Sequence, residues 1–288
     1  MIYVYRSKPS DSAKLLAEGL EGDRLRVFDN GVFRRGVDRL GVRPRRHDVI
    51  VCWGEELPAI EGPRILNGAP ILNKMDAALK LKAEGVATVE VSAQRPAVAT
   101  PVVQPRMNWA VEMGMPPVDL SIEDVTSARN RLDGWLRGNP RLPQRAAQEW
   151  LPRTFNHLGG HDLMNPPAHP DYYSKKENII EEYRVHIFNG KSIRAGVKKH
   201  RDGVEGHEWI RSYDSGYNIC YNDFHSKKSM RALAVKAVEA LGLQFGAVDL
   251  GKTVDGRLLV LEVNRAPGLE NGSVTAYVNA VQNWVEGE

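Results

Sequence analysis

Residues 246–264, GAVDLGKTVDGRLLVLEVN, set two apolar runs on either side of the turn dipeptide Asp255-Gly256. That pattern commits the chain to an antiparallel hairpin. A two-residue turn at Asp255-Gly256 places position 252 opposite 259 and Asp249 opposite Glu262. It also places Asn264 opposite Ala247, on the same face, because side chains alternate with period two. Directly opposed Cβ atoms lie about 4.5–5.5 Å apart, and like charges there repel. Two carboxylates on an otherwise apolar hairpin therefore call for a cation between them. A carboxylate pair with an amide carbonyl is an oxygen donor set suited to Mg²⁺, which keeps further positions for water and phosphate oxygens. The alternative is ordinary ion pairing with Lys252, Arg257 or Arg265. Parity along the strands turns Lys252 and Arg257 to the other face, and Arg265 points away from its neighbour Asn264, so the metal is preferred. A β-bulge would change this register.

The chain has 288 residues, enough for two or three modest cores. Its 42% hydrophobic and 26% charged content is ordinary for a soluble globular protein. The start MIYVYRSKPS has no apolar signal-peptide region, and no stretch approaches the ~18 apolar residues of a spanning helix. A cytoplasmic protein without a membrane partner is expected. Cys52 and Cys220 sit beside apolar or aromatic neighbours, which fits structural thiols in a reducing compartment. A net charge of +3 and a pI near 8.8 suit anionic ligands. Without a long Lys/Arg run they do not argue for nucleic acid.

Strand patterns in MIYVYR, RLRVFD, DVIVCWG and GPRILNG, with a helix in SDSAKLLAEGL capped by Ser10 or Asp11, predict a small parallel α/β domain over residues 1–70. Asn73 and Asp76 cap a helix in KMDAALKLKAEG that Gly85 ends, and VATVEV follows as a strand. A central lobe over 71–170 contains an atypical proline-bearing insertion, 95–148, with one helical pattern in SIEDVTSARNRLDGWLRG. Trp109, Met107, Met113 and Met115 give that insertion either an adaptable acceptor surface or a small core of its own. Strands follow in WLPRTF, DYYSKK, EEYRVHIFNG and KSIRAGVKKHR, with Asn189-Gly190 as a tight turn. A helix in SKKSMRALAVKAVEALGL takes Ser226 as cap and Gly242 as end. Residues 171–288 are thus an α+β lobe carrying the hairpin, and the class expected overall is α/β plus α+β. Glu182, Arg184 and His186 alternate and share one strand face, which on the plainest reading is the solvent side of a half-exposed sheet.

The segments ALGLQFGAVDLG and LLVLEVNRAPGLE resemble the metal-binding end of ATP-grasp ligases. EEYRVHIFNGK is similar to the preceding strand pair of that superfamily, closest in look to a branch encoded by bacteriophages. ILNKMDAALKLKAEGV resembles the helix that opens the central ATP-grasp domain. The resemblance covers most of the chain apart from 95–148. It implies three parts, with ATP held between two α+β lobes, and a ligase that joins a carboxylate to an amine through an acyl phosphate. It implies one or two Mg²⁺ ions, with Mn²⁺ as a substitute, on Asp249, Glu262 and Asn264.

The resemblance also assigns roles one residue at a time. It takes Lys74 to an ATP phosphate; a Lys at a helix start is unfavourable against the dipole unless an anion is near. Arg153 stands where such enzymes carry a Lys on the α-phosphate, a departure that Arg's bidentate fork accommodates. Gly159 and Gly160, within His157 to His161, sit where a mobile loop closes over phosphates. Tyr173 and Lys175 fall on the strand and hinge that carry adenine. Glu182 and Lys198 join the nucleotide contacts. Arg184 or Arg211 supplies the cation that stabilises the tetrahedral oxyanion.

The partners implied are small-molecule or peptide carboxylates and amines, with a protein or DNA acceptor and a homodimer also within the family's range. A phage-encoded chain would work in the host cytoplasm. The substrate itself is not legible from fold-level analogy. Two competing readings are a phosphotransferase that stops at phosphorylation and a non-catalytic nucleotide-binding or DNA-associated module.

Overall fold

The computed structural model describes residues 1–6, 8–27, 33–35, 39–40, 44–57, 60–96, 150–155, 167, 169–206, 210–222 and 224–287. The expected insertion beyond Pro96 and the glycine loop at 157–161 lie outside the described residues.

The first sheet is built by β1 (Ile2–Tyr5), β2 (Asp23–Val27), β3 (Phe33–Arg35), β4 (Arg39–Leu40), β5 (Val49–Cys52) and β6 (Arg64–Leu66), in the order β4-β3-β2-β1-β5-β6. The four strands read from the sequence are parallel to one another, as expected. β3 and β4 extend that sheet antiparallel and were not expected; short arginine-bearing strands offer no apolar alternation to read. Helix α1 (Asp11–Gly19) follows β1, and the Ser10 side chain caps it by accepting from the Ala13 N–H.

Helix α2 (Lys74–Ala83) starts at Asn73, whose side chain accepts from the Asp76 N–H. Gly85 ends it at φ +65°, a conformation glycine adopts without strain. Strands β7 (Val91–Ser92), β8 (Trp150–Arg153) and β9 (Tyr172–Lys175) form an antiparallel sheet in the order β7-β9-β8. β7 is shorter than the strand expected over VATVEV, because the preceding Thr88 bridges instead to Val260.

The third sheet is antiparallel throughout. It comprises β10 (Ile179–Phe188), β11 (Lys191–His200), β12 (Tyr217–Cys220), β13 (Phe245–Thr253) and β14 (Leu258–Asn264), in the order β12-β11-β10-β13-β14. Asn189 and Gly190 turn between β10 and β11 with φ of 45° and 72°, the two positive values a tight hairpin needs. Helix α3 (Lys228–Ala240) precedes β13. Its cap is Lys227 without a side-chain bond, rather than the expected Ser226. The carbonyl and hydroxyl of Ser226 are taken by the Arg231 guanidinium instead. Helix α4 (Asn271–Glu286) was not read from the sequence, because β-branched and aromatic residues such as Val274, Thr275, Tyr277 and Val278 conceal its period.

Two large apolar cores among the described residues hold these layers, and a smaller one of Tyr3, Tyr5, Ile50 and Cys52 lies on the other face of the first sheet's centre. One packs Leu16, Ala17, Val51, Trp53 and Leu66 against Phe188, Phe245, Tyr277 and Val281. The first sheet and the far end of the third thus share a core. Trp53 stacks on Phe245 at 5.4 Å and meets Tyr277 edge-on at 5.5 Å. The other packs α3 onto Tyr183, Val185, Val248, Leu250 and Val260, with Leu81 and Val86 from α2 and its exit.

A polar joint ties β6 to β13. Asn67, fully buried, accepts from the Gln244 and Phe245 N–H groups and donates to the Phe245 carbonyl. The Arg265 guanidinium binds the carbonyls of Asn67, Ala69 and Pro70. These contacts fix the segment that leads into α2, and therefore where Lys74 begins.

Candidate active site

The hairpin delivers the expected opposition by a route the sequence did not indicate. The turn spans Val254–Gly256, with the Thr253 N–H donating to the Arg257 carbonyl at 2.9 Å and Gly256 at φ +84°. Lys252 accordingly faces Leu258, not residue 259. One extra residue, Leu261, then bulges from β14, and the two irregularities cancel. Beyond the bulge Asp249 faces Glu262 and Ala247 faces Asn264.

All three side chains line a cavity of about 1590 Å³. Its walls come from the cavity face of the third sheet, from β8 and β9, from the start of α2, and from Ser12 and Gly54. Of the expected site residues, Lys74, Arg153, Lys175, Glu182, Arg184, Lys198 and Arg211 also line it. Tyr173 does not. Strand alternation puts Tyr172 and Ser174 in the wall instead, with Tyr172 stacked on Phe155 at 5.7 Å. Gly159 and Gly160 fall outside the described residues.

The cations that meet the carboxylates are not those of the hairpin. Lys252 binds Glu181, Arg257 binds Asp255 and Glu177, and Arg265 binds backbone carbonyls. Asp249 is met across the sheet by its β10 partner Arg184, in a two-point pair at 2.7 and 2.8 Å. Lys198 lies 3.7 Å from the same carboxylate and 2.9 Å from Glu182, and Arg211 approaches Glu182 at 3.4 Å. The result is an alternating row, Arg211–Glu182–Lys198–Asp249–Arg184. Glu262 meets Lys74 at 3.3 Å, which also supplies the anion that a Lys at a helix start requires.

Glu182, Arg184 and His186 do share one face, but it is not the solvent side. Glu182 is 8% exposed and His186 0%. Burial works to raise the Asp249 carboxyl, and Arg184 and Lys198 outweigh it, bringing the pKa down to about 2. Burial works to lower the Arg184 and Lys198 pKa values, and their carboxylate partners outweigh it and raise both. Asp249, Arg184 and Lys198 are therefore each held in the ionised form by a neighbour of opposite charge.

Two carboxylates and an amide on one face are hard oxygen donors, and they fit Mg²⁺ better than a soft metal. Among the described residues no set of three His, Cys, Asp or Glu side chains converges as a metal cage. The donors thus suit an ion that shares its coordination with a ligand. Arg184, Lys198, Lys74 and Arg153 add anion-binding capacity in the same cavity. Sequence reasoning missed Tyr217, Asn218, Tyr221 and Glu270, which also line it. The first three follow a glycine in an unpatterned loop and β12, where no spacing marks them.

No family model matches the chain. A curated relative described as "Probable alpha-L-glutamate ligase 1", from Shewanella sp. (strain ANA-3), is 31% identical over 118 residues, 38% of this chain and 38% of that one. The chain thus spans 38% of the length of the curated relatives it matches. Among solved structures, the ATP-grasp ligase PsnB, complexed with a phosphomimetic variant of its minimal precursor, Mg and ADP, superposes with a TM-score of 0.56 at 11% identity. That match covers 98% of this chain and 97% of PsnB. The D-cycloserine synthetase DcsG superposes with a TM-score of 0.52 at 16% identity and 99% coverage of both chains. What is shared at these identities is the fold, and the fold of this chain is ATP-grasp. No helix among the described residues is long and apolar enough to cross a membrane.

Proposed function

We propose that this protein is an ATP- and Mg²⁺-dependent ligase that joins a carboxylate to an amine and releases ADP and phosphate. The observation that carries the reading is the opposition of Asp249 and Glu262, with Asn264 on the same face, inside a cavity lined by Lys74, Arg153, Lys198 and Arg184. The ATP-grasp fold and the ligases that share it support the reading. The reading implies a division at about residues 70 and 170.

Asp249, Glu262 and Asn264 would hold the metal, whose bound charge would offset that of the β- and γ-phosphates. Lys74 and Arg153 would hold phosphate oxygens, and Lys175 would stand at the adenine, with Tyr172 in the same wall. A substrate carboxylate oxygen attacks the γ-phosphorus, and the bond to the β,γ-bridging oxygen breaks, releasing ADP and leaving an acyl phosphate. The amine nitrogen then attacks the acyl carbon, a proton leaves the nitrogen, and the carbon–oxygen bond to phosphate breaks. Arg184 is the better placed of the two candidate arginines for the developing negative charge. Its two-point pair with Asp249 keeps it beside the proposed metal donors, whereas Arg211 is held at the far end of the row by Glu182 and the carbonyls of Ile179 and Ile180. A preorganised cation at that position lowers the barrier without reorganising. The substrates fall among amino acids, peptides and other carboxylates and amines.

The test is ADP release at fixed ATP and Mg²⁺ with pools of amino acids, polyamines and short peptides, comparing wild type with Glu262→Gln. Acceptor-dependent release that the variant abolishes is expected. ADP release that ignores the amine pool would instead indicate a phosphotransferase and overturn the ligase reading.

A further inference from the structure

A sheet edge carries unpaired N–H and C=O groups that template another strand, and native proteins blunt such edges with brevity, charge, proline or a cover. Of the six edge strands in the three sheets, all but one are managed in these ways. β4 and β7 have two residues each. β6 opens on Arg64, whose guanidinium binds the Trp284 and Val285 carbonyls. β8 contains Pro152. β14 is covered at Val260, which bonds to Ala87 and Val89. The exception is β12, Tyr217-Asn218-Ile219-Cys220, which has no charge, no proline and no glycine.

Which backbone groups of β12 are open follows from its bonds. The Gly216 carbonyl accepts from the Arg201 N–H at 2.8 Å, and the Tyr217 N–H of the same peptide unit donates the opposite way, to the Ser212 carbonyl at 3.0 Å. Alternation then turns the N–H and C=O of Asn218 and Cys220 toward β11, where they face Lys199 and Val197. The Cys220 carbonyl agrees, since a Cβ on Gly196 of β11 would lie 2.9 Å from its oxygen. Ile219, opposite Lys198, forms the intervening pair without hydrogen bonds. Its N–H and C=O therefore both point away from β11, and no other described residue bonds to them.

That open side belongs to the cavity. Tyr217, Asn218 and Ile219 all line it. Asn218 has the opposite parity from its two neighbours, so the wall wraps around the edge of the strand and does not stop at one face. Ile219 shares its face with Lys198, so the edge continues the charged row. At about 1590 Å³ the cavity exceeds the roughly 300–1,000 Å³ of ordinary small-molecule sites, which leaves room for a second ligand beside a nucleotide. An extended peptide is the ligand whose own backbone supplies an acceptor and a donor at the spacing of a strand. A second copy of this chain would have to bring a folded sheet into the cavity, whereas a peptide brings one strand.

We infer that the organic substrate is an extended peptide that adds to the third sheet as a further strand along β12, bonded through the Ile219 N–H and C=O. Alternate peptide side chains then face the cavity beside Tyr217 and Ile219. The inference rests on the ligase reading for the peptide's being a substrate, but not for the pairing.

The test therefore has two arms. The first uses ¹⁵N-isoleucine-labelled protein with ADP and Mg²⁺, the Ile219 signal being identified by its loss in Ile219→Val. A mixed-sequence hexapeptide library at millimolar concentration should slow amide hydrogen exchange at Ile219 by about threefold or more, and free amino acids at the same concentration should not. Unchanged exchange with the library overturns the inference. Exchange that slows with protein concentration alone would assign the edge to a second copy and overturn it too. The second arm is the ADP-release assay with Ile219→Pro, which removes the outward N–H where an edge strand tolerates proline. KM for the hexapeptides should rise about three- to tenfold, the scale of one hydrogen bond, with KM for ATP within about twofold. An equal rise in both constants would overturn the inference. Protection of Ile219 by peptide without ADP release in wild type would sink the ligase reading alone. ADP release driven by free amino acids, with Ile219 unprotected by peptide, would sink the inference alone.

Discussion

The two faces of β10 and β13 are alternate residues of the same strands, yet they carry opposite chemistry. Toward α3 the strands present Tyr183, Val185, Val248 and Leu250. Toward the cavity they present Glu182, Arg184, His186 and Asp249. Both faces are buried. The apolar face is stabilised by area removed from water, about 25 cal/mol per Å². The polar face is tolerable only because each charge has a partner of opposite sign, and a buried ion loses several kcal/mol of hydration otherwise. Along the polar face the character also changes by position, from paired charges at Glu182 and Asp249, through neutral His186, to Phe188 stacked on Phe245 at 5.9 Å. A structural sheet needs none of that gradient. One face holds the lobe together, and the other carries a row of charges poised around a ligand.

Removing one member of the row should break the comparison most severely. Asp249→Ala leaves Arg184 buried without its carboxylate, and a loss of about 3–5 kcal/mol is expected in urea unfolding. A loss below about 1 kcal/mol would mean that the row is not a buried network. At the apolar end of the same face, Phe245→Ala should cost a similar or slightly smaller amount, about 3–5 kcal/mol less any collapse of the site, again by urea unfolding.

His186 sharpens the contrast through pH. Its pKa falls from 6.5 to about 3 on folding, so the folded state prefers the neutral ring. The associated stability is complete above about pH 6.5 and is lost as pH falls toward 3, by up to about 1.4 kcal/mol per pH unit. His186→Gln should flatten that part of the stability–pH profile; an unchanged slope would show that the ring is not held neutral.

Glu262 lies at the rim, 38% exposed, and its Lys74 partner 28%. Glu262→Gln should therefore cost less than about 1 kcal/mol of stability while abolishing acceptor-dependent ADP release. Smallest of all, Lys252→Ala removes an outward pair to Glu181 and should change stability by no more than about 0.5 kcal/mol.

The sequence carried more of the fold than of the site's electrostatics. Strand alternation, the Asn189-Gly190 turn, Asn73 as cap and the parallel order of the first sheet rest on local chemistry, and local chemistry is what a sequence displays. The opposition of Asp249 and Glu262 was legible too, although the longer turn and the bulge at Leu261 were not, because they offset each other. The pairing of Asp249 with Arg184 was hidden. It joins residues 65 positions apart in the chain, and it depends on β13 lying between β10 and β14, an order that no local pattern encodes. The same holds for Tyr221, which meets His186 across 35 positions. Tyr172 rather than Tyr173 in the wall is a question of strand phase, which two adjacent tyrosines leave open. Helix α4 stayed unread because tertiary packing of Tyr277 and Val281 outweighs the strand propensity of its residues.

The most direct test of the central claim is calorimetric titration of ADP into wild type and Glu262→Gln, each with Mg²⁺ and with EDTA. The account predicts that Mg²⁺ tightens ADP binding to wild type by about tenfold or more, roughly 1.4 kcal/mol, and that Glu262→Gln removes most of the gain. Equal affinity with and without Mg²⁺, or a full gain in the variant, would contradict the assignment of Asp249, Glu262 and Asn264 as a nucleotide-linked metal site.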